Sequence, residues 1–315
     1  VFVTGSGGTA VAEAIGAHFV PETGALCRAA ETLHPAARTI IELGGEDAKI
    51  VAFHEATPQG ARRKTVSMND KCAGGTGAVI DRVVVKTGLR MDDFRAVNRA
   101  EVRIHPVAGK CGVFAETDIV SLQKRGTPPD EIMASLFDSI VLQNLSVLAR
   151  GEALAPRVLL LGGPHVFMPG LAARWRHHLP RRWRDHGVFV PGGEPAGQLI
   201  VVPDHALYFG AIGAVFCGQA LIAAHPSIGR YRGTESLRRL MEERRTPNGH
   251  AGLVRDDAER EAFARDYAPP SWSPPPFVPK ADVEVYLGVD AGSTSTKAVL
   301  MTPQGGIIAK AYRLS

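Results

Sequence analysis

The stretch that most constrains this chain is Met68–Asp81, MNDKCAGGTGAVID, where a cysteine precedes a glycine-rich turn that opens directly into an apolar helical pattern. Gly74, Gly75 and Gly77 free the backbone, so that its N–H groups can face an anion at a helix N-terminus. Cys72 adds a soft thiolate, as ligand or nucleophile. The same residues also describe a plain glycine turn with a buried cysteine. What separates the two readings is whether similar turns recur.

They do. VFVT at Val1–Thr4 runs into Gly5, Gly7 and Gly8; Arg38–Leu43 runs into Gly44 and Gly45; and Arg157–Leu161 runs into Gly162 and Gly163. The first case fits G-x-G-x-x-A through Gly5, Gly7 and Ala10, with Glu22 or Glu31 as the acid for a ribose, which is one way to read a dinucleotide site. A strand-to-helix turn that needs small residues explains it equally well. The second turn, GGED, joins the strand pattern Arg38–Leu43 to Ala48–Phe53. Its glycines admit a phosphate, and Glu42, Glu46 and Asp47 are hard oxygen donors suited to Mg²⁺ or to orienting a water. A hairpin with solvated acids is the alternative.

Helices are expected over Gly77–Lys86, Met91–Asn98 and, most clearly amphipathic, Pro128–Arg150, and another over VFMPGLAARW. KCGVFAETDIVSLQKRG reads as a strand running into a helix and carries Cys111, which lies 39 residues from Cys72, so no local C-x-x-C motif joins the two and only the fold could bring them together. Cys27 and Cys217 read as buried structural thiols. Arg174, Arg176, Arg181, Arg182 and Arg184 with Trp175 and Trp183 read as a charged helix face, and the adjacent His177 and His178 as a poor metal pair.

With 45% hydrophobic and 22% charged residues in 315, the chain can bury a core and hold more than one lobe. A net charge of +4 with interspersed signs calls for neither nucleic acid nor a membrane surface. No apolar run approaches the roughly 18 residues of a membrane span, and VFVTGSGG lacks the pattern of a signal peptide, so a cytoplasmic protein is expected. The absence of an initiator Met before an interior-type strand suggests a fragment. After Ala224 the composition shifts to Arg, Glu and Asp and then to six prolines within Ala268–Pro279, a linker with some helical content. VYLGVDAGSTSTKAVLM follows, two strands around a turn, with Asp290 to meet a metal and Gly292, Ser293, Thr294 and Lys297 to grip a phosphate.

As an ordered set these motifs resemble the BadF/BadG/BcrA/BcrD-type ATPases, activators of 2-hydroxyacyl-CoA dehydratases and benzoyl-CoA reductases, within the actin, hexokinase and Hsp-type superfamily. ELGGEDAK resembles the family's second phosphate motif, NDKCAGGTG its cysteine motif, CGVFAETDIVSL its second cysteine segment and LLLGGPHVF its adenosine motif. The resemblance implies an α/β, actin-like (ribonuclease H-like) ATPase domain with mixed sheets flanked by helices. It also implies ATP/ADP with Mg²⁺ held by Gly44, Gly45, Lys49, Gly74, Gly75, Gly77, Gly162 and Gly163, with Glu46 and Asp47 catalytic. A [4Fe-4S] cluster on Cys72 and Cys111 would be shared across a homodimer or a tandem-domain pseudo-dimer. A reduced ferredoxin or flavodoxin would supply electrons to a dehydratase or reductase partner.

Two departures stand out. The first phosphate hairpin, which opens this family, comes last, at Asp290–Lys297, so the chain is either permuted or cut from a protein with two such domains in tandem. The second reading gives residues 1–224 as a domain lacking its first hairpin, 225–280 as linker and 281–315 as the hairpin of a second domain. Glu46 stands where small activators commonly carry Gln. A nicotinamide-dependent oxidoreductase and a non-catalytic ATPase-like scaffold are the competing functions.

Overall fold

TIIEL and VLLL have no polar face, and a strand buried on both sides needs none. In the computed structural model both are interior strands of one mixed sheet. The structure describes residues 1–56, 62–69, 75–88, 102–108, 112–190, 194–245, 254, 256–268, 273, 284–291 and 295–314. It divides into two compact units, Val1–Arg239 and Leu240–Ser315.

The first unit opens with β1 (Phe2–Val3), α1 (Gly8–Ile15), β2 (His18–Phe19) and α2 (Glu22–Leu33), in which β1 and β2 pair in parallel. The main sheet begins with β3 (Thr39–Leu43), β4 (Ala48–Ala56) and β5 (Arg62–Asn69), a three-stranded antiparallel meander. Among the described residues three helices follow: α3 (Gly77–Thr87), α4 (Gly112–Lys124) and α5 (Pro129–Val147). Then come β6 (Val158–Leu161), α6 (Gly163–Phe167), α7 (Pro169–Asp185), α8 (Ala196–Leu199), β7 (Ile200–Val201), α9 (Phe209–Ala224) and α10 (Glu235–Arg245), whose last residues belong to the second unit. The sheet order is β5-β4-β3-β6-β7, with β6 parallel to both β3 and β7.

Alternate residues of each central strand enter opposite cores. Ile41, Leu43, Val158 and Leu160 pack beneath α3, α4, α5 and α7, whereas Ile40, Leu159 and Leu161 pack with Leu26 and Cys27 of α2 and Phe209 of α9. Pro129 at the first turn of α5, with Asp130 and Glu131 beside it, suits a helix N-terminus. Trp175 and Trp183, on the basic helix α7, are fully buried, so that helix is a core element whose arginines line its outer side or pair with Asp138.

Several expectations need correction. The segment after Cys111 is helical from Gly112 onward with no strand, because Ala115, Ile119 and Leu122 are buried at helical spacing while Val113 and Phe114 stay 66% exposed. The helix expected over VFMPGLAARW is two helices, α6 and α7, broken at Met168 before Pro169. Cys27 is buried, and burial raises its thiol pKa, but Cys217 is only half-buried. The strand β5 was not anticipated, since RRKTVSMN is polar; it is a sheet edge, where charged side chains are expected. The expected helix at 91–98 and most of the proline-rich stretch lie outside the described residues.

The second unit contains α11 (Asp257–Asp266), capped by the Asp256 side chain accepting from the Glu259 N–H at 2.8 Å, and a three-stranded antiparallel sheet of β8 (Tyr286–Ala291), β9 (Ser295–Met301) and β10 (Ile307–Leu314). Among the described residues, no helix is long and apolar enough to cross a membrane.

Candidate active site

The carboxyl ends of β3 and β6 lie side by side, the place where an open α/β sheet with a change of strand order leaves a crevice. Three of the glycine turns meet there. Gly44, leaving β3, receives the Asp47 carbonyl at its own N–H (2.9 Å), closing the turn. The N-terminus of α3 then docks onto this turn, with Gly77 N–H donating to the Gly44 carbonyl at 3.0 Å and Ala78 N–H to the Gly45 carbonyl at 2.7 Å. Gly162, leaving β6 with φ +92, passes so near Leu43 that any Cβ would collide with the Leu43 carbonyl. A cavity of about 420 Å³ lies between these turns, lined by Gly45, Gly77, Asp81, Gly163, Phe167 and Leu207 among others.

Two further residues belong to this arrangement, one that holds it and one that lines the cavity. Asn144 on α5, 2% exposed, donates to the Gly75 carbonyl at 2.8 Å and to the Ile140 carbonyl at 2.9 Å, tying the glycine turn to the longest helix. Its signal was an amide in helical phase with Phe137 and Ile140 on the buried side of α5, a side that also holds Ser135, Ser139 and Gln143. Asp81 lies four residues after Gly77, on the same face of α3, and brings a carboxylate to the cavity. Phe167 and Leu207 give the other side an apolar wall.

His165, in the expected adenosine segment, is a structural pin. Its Nε2 accepts from Trp175 Nε1–H at 2.8 Å, which places the proton on Nδ1, donating to the Leu161 carbonyl at 2.7 Å. Burial lowers its pKa to about 4, so the ring is neutral and fixes α6 against α7.

The acids of the GGED turn separate by role. Glu46 is exposed at the tip and Asp47 half-buried. Lys49, expected at the phosphate, is 1% exposed, and its Nζ contacts Asp47 at 2.6 Å, Glu42 at 3.1 Å and Glu22 at 3.3 Å. Burial works against the ammonium, but Glu42 and the other two carboxylates outweigh it and hold the pKa above its usual range. Burial likewise pushes Glu42 up to about 7 despite the lysine beside it. Lys49 therefore fixes the conformation of Asp47 from beneath the turn and is not part of the cavity lining. Glu22 and Glu31, the acids considered for a ribose, are engaged with Lys49 and Lys64.

Cys72, Gly74 and Cys111 lie outside the described residues, as do Gly292, Ser293 and Thr294. Around the first two segments the framework is informative. Glu116 on α4 binds Arg82 and, at 2.7 Å, Lys86 of α3, while Gln123 donates to the Thr87 carbonyl at 2.6 Å. Both helices thus run in the same direction, and their N-terminal ends, next in sequence to the two cysteine segments, share one end of the unit. Those pairings lower the Glu116 pKa in spite of its burial. Among the described residues, no group of His, Cys, Asp and Glu is arranged to hold a metal. In the second unit Asp290 and Lys297 are cross-strand partners joined at 3.1 Å, and both are exposed.

A mixed sheet of this order, flanked by helices and with its crevice at the β3–β6 end, is the actin-like ATPase fold. Two solved structures share it: component A of (R)-2-hydroxyglutaryl-CoA dehydratase from Acidaminococcus fermentans (TM-score 0.54, 23% identity, 70% of this chain and 76% of that one) and the activator of 2-hydroxyisocaproyl-CoA dehydratase from Clostridium difficile with bound ADPNP (TM-score 0.54, 21% identity, 74% and 78%). Within that class the chain belongs to the BadF/BadG/BcrA/BcrD ATPase family, whose profile matches residues 1–168. Curated relatives include the activator of lactoyl-CoA dehydratase of Anaerotignum propionicum (30% identity, 42% of this chain and 49% of the relative) and the uncharacterized protein YjiL of Escherichia coli K12 (30%, 42% and 50%). The chain spans about half the length of these two relatives.

Proposed function

We propose that this chain is the ATP-binding core of an iron–sulfur activator that uses ATP hydrolysis to pass a low-potential electron to a 2-hydroxyacyl-CoA dehydratase or benzoyl-CoA reductase-type partner. The observation that supports it best is the meeting of the Gly44–Gly45, Gly75–Gly77 and Gly162–Gly163 turns around one cavity. Glycines without a Cβ let the backbone of such turns approach a phosphate closely, and the apolar wall of Phe167 and Leu207 suits a base. Asp47, held in place by Lys49, would take the Mg²⁺ side of the site. Glu46 at the turn tip would orient the attacking water.

A [4Fe-4S] cluster, when bound, would supply the one-electron chemistry, with Cys72 and Cys111 as its ligands from this chain. The shared direction of α3 and α4 fits that pairing, because it brings the two helix starts to one end. Because α3 also docks on the Gly44–Gly45 turn, occupancy of the cleft bears mechanically on the end of the helix that follows Cys72. The cluster would be completed by a second copy or by a tandem domain to which the Asp290–Lys297 hairpin belongs, with residues 1–224, 225–280 and 281–315 as ATPase domain, linker and second-domain start. Ferredoxin or flavodoxin would be the electron donor, in a cytoplasmic setting.

Anaerobic reconstitution followed by iron and sulfide analysis tests the cluster, and calorimetry with ADPNP tests the cleft. The expected results are a brown protein that loses iron in Cys72→Ala and Cys111→Ala, and ADPNP bound more tightly than NAD. A folded, iron-free protein, or a preference for NAD, would refute the reading.

A further inference from the structure

The opposite end of the main sheet contains a second cavity, also of about 420 Å³. Arg38 enters it from just before β3, Arg157 from just before β6, Arg62 from the start of β5, and His54 and Glu55 from the far part of β4. It is thus separated from the glycine cleft by the length of β3.

Its charges are unbalanced. Among the described residues that line it, three guanidinium groups share the space with one carboxylate, Glu55, and a second, Glu194, lies outside the lining beside Arg157. Arg62 is already oriented, donating to the Pro35 carbonyl at 3.2 Å and the Ala37 carbonyl at 2.8 Å while lying 4.8 Å from the Phe53 ring centroid. Arg157 sits in left-handed backbone, φ 73, and among the described residues its guanidinium has a single long ion contact, with Glu194 at 3.9 Å. Among the described residues the buried Nε of Arg38 has no hydrogen-bond partner. His54 is turned aside, bonded to Thr65 at 2.7 Å.

Arginine stays charged at any physiological pH, so converging guanidinium groups repel, and a buried N–H without an acceptor is costly as well. An oxyanion relieves both. Guanidinium forks match the geometry of phosphate and carboxylate oxygens, and the volume lies in the range of small-ligand sites. We propose that this cavity is a second binding site, for a small multivalent oxyanion such as a phosphate ester, independent of the glycine cleft. The cleft reading can fail without affecting it.

The test titrates the purified chain with pyrophosphate in the absence of Mg²⁺, and in a second arm with citrate, against chloride at equal ionic strength. Calorimetry and thermal melting are the readouts. Pyrophosphate is expected to bind and to raise the melting temperature beyond chloride, with binding weakened at least about tenfold in Arg38→Gln and in Arg157→Gln, as expected for the loss of a charge-assisted pair. If Arg38→Gln fails to fold, Arg157→Gln alone decides, since Arg157 is 48% exposed and its loss opens no core. Tighter binding of citrate with the same dependence on arginine upholds the site and assigns it to carboxylates. No binding by the wild-type chain, or binding equal in wild type and variants, overturns it.

Discussion

Lys49 shows how one buried charge organises a turn. Its ammonium is the shared cation of Glu22, Glu42 and Asp47, and Glu42 is itself only 8% exposed. Lys49→Met would leave Glu42 buried without a counter-ion, a situation that typically costs about 3–5 kcal/mol. Glu42 can escape the penalty by taking a proton, so the loss should be largest above pH 7 and smaller in acid, measured by urea unfolding at pH 5.5 and pH 8. Equal losses at both values would show that the carboxylate is not the source. His165 behaves in the opposite sense. Its pKa is near 4 in the folded chain and about 6.5 when unfolded, so the unfolded state takes up the proton first. Its stabilising contribution is therefore full above pH 6.5 and falls by about 3 kcal/mol as pH drops to 4. His165→Gln should be less stable than wild type at pH 7, with the gap narrowing through that window.

Among the elements, the junction of β6 with α6 tolerates little change. Gly162 combines φ +92 with the Leu43 carbonyl against its Cα, so Gly162→Ala must both strain its own backbone and push β6 from β3. A cost of about 3 kcal/mol is expected, with weakened ADPNP binding, read by denaturant melts and calorimetry. This element was legible: a leucine run ending in two glycines implied the strand and its turn, and the resemblance of LLLGGPHVF to the family's adenosine motif pointed to the cleft. The same held for β3 and for the Gly77 helix. What stayed hidden was decided by packing across the fold. Nothing local in RRKTVSMN shows that β4 has a free edge, and Val113–Phe114 look like strand because the burial that makes them helical comes from Ala115, Ile119 and Leu122. The place of Lys49 was hidden in the same way, because only the fold brings the Glu22 carboxylate of α2 beneath it beside Glu42 and Asp47.

At the level of the molecule, stability is unevenly distributed. Among the described residues every buried hydrophobic side chain lies between Ala12 and Ala214, all in the first unit. In the second unit β8–β10 carry Tyr286, Leu287, Val289 and Tyr312 at 60% exposure or more. A three-stranded sheet that covers so little apolar surface has few contacts to lose on opening, and its hydrogen bonds should open locally well below the free energy of global unfolding. Hydrogen exchange of the whole chain is therefore expected to protect β3, β4, β6 and α5 strongly, while Tyr286–Leu314 exchange faster by at least about a hundredfold, equivalent to about 2.7 kcal/mol. Removing residues after Arg239 should leave the melting temperature of the first unit nearly unchanged. Equal protection in both units, or a chain that unfolds when shortened, would contradict this uneven distribution of stability.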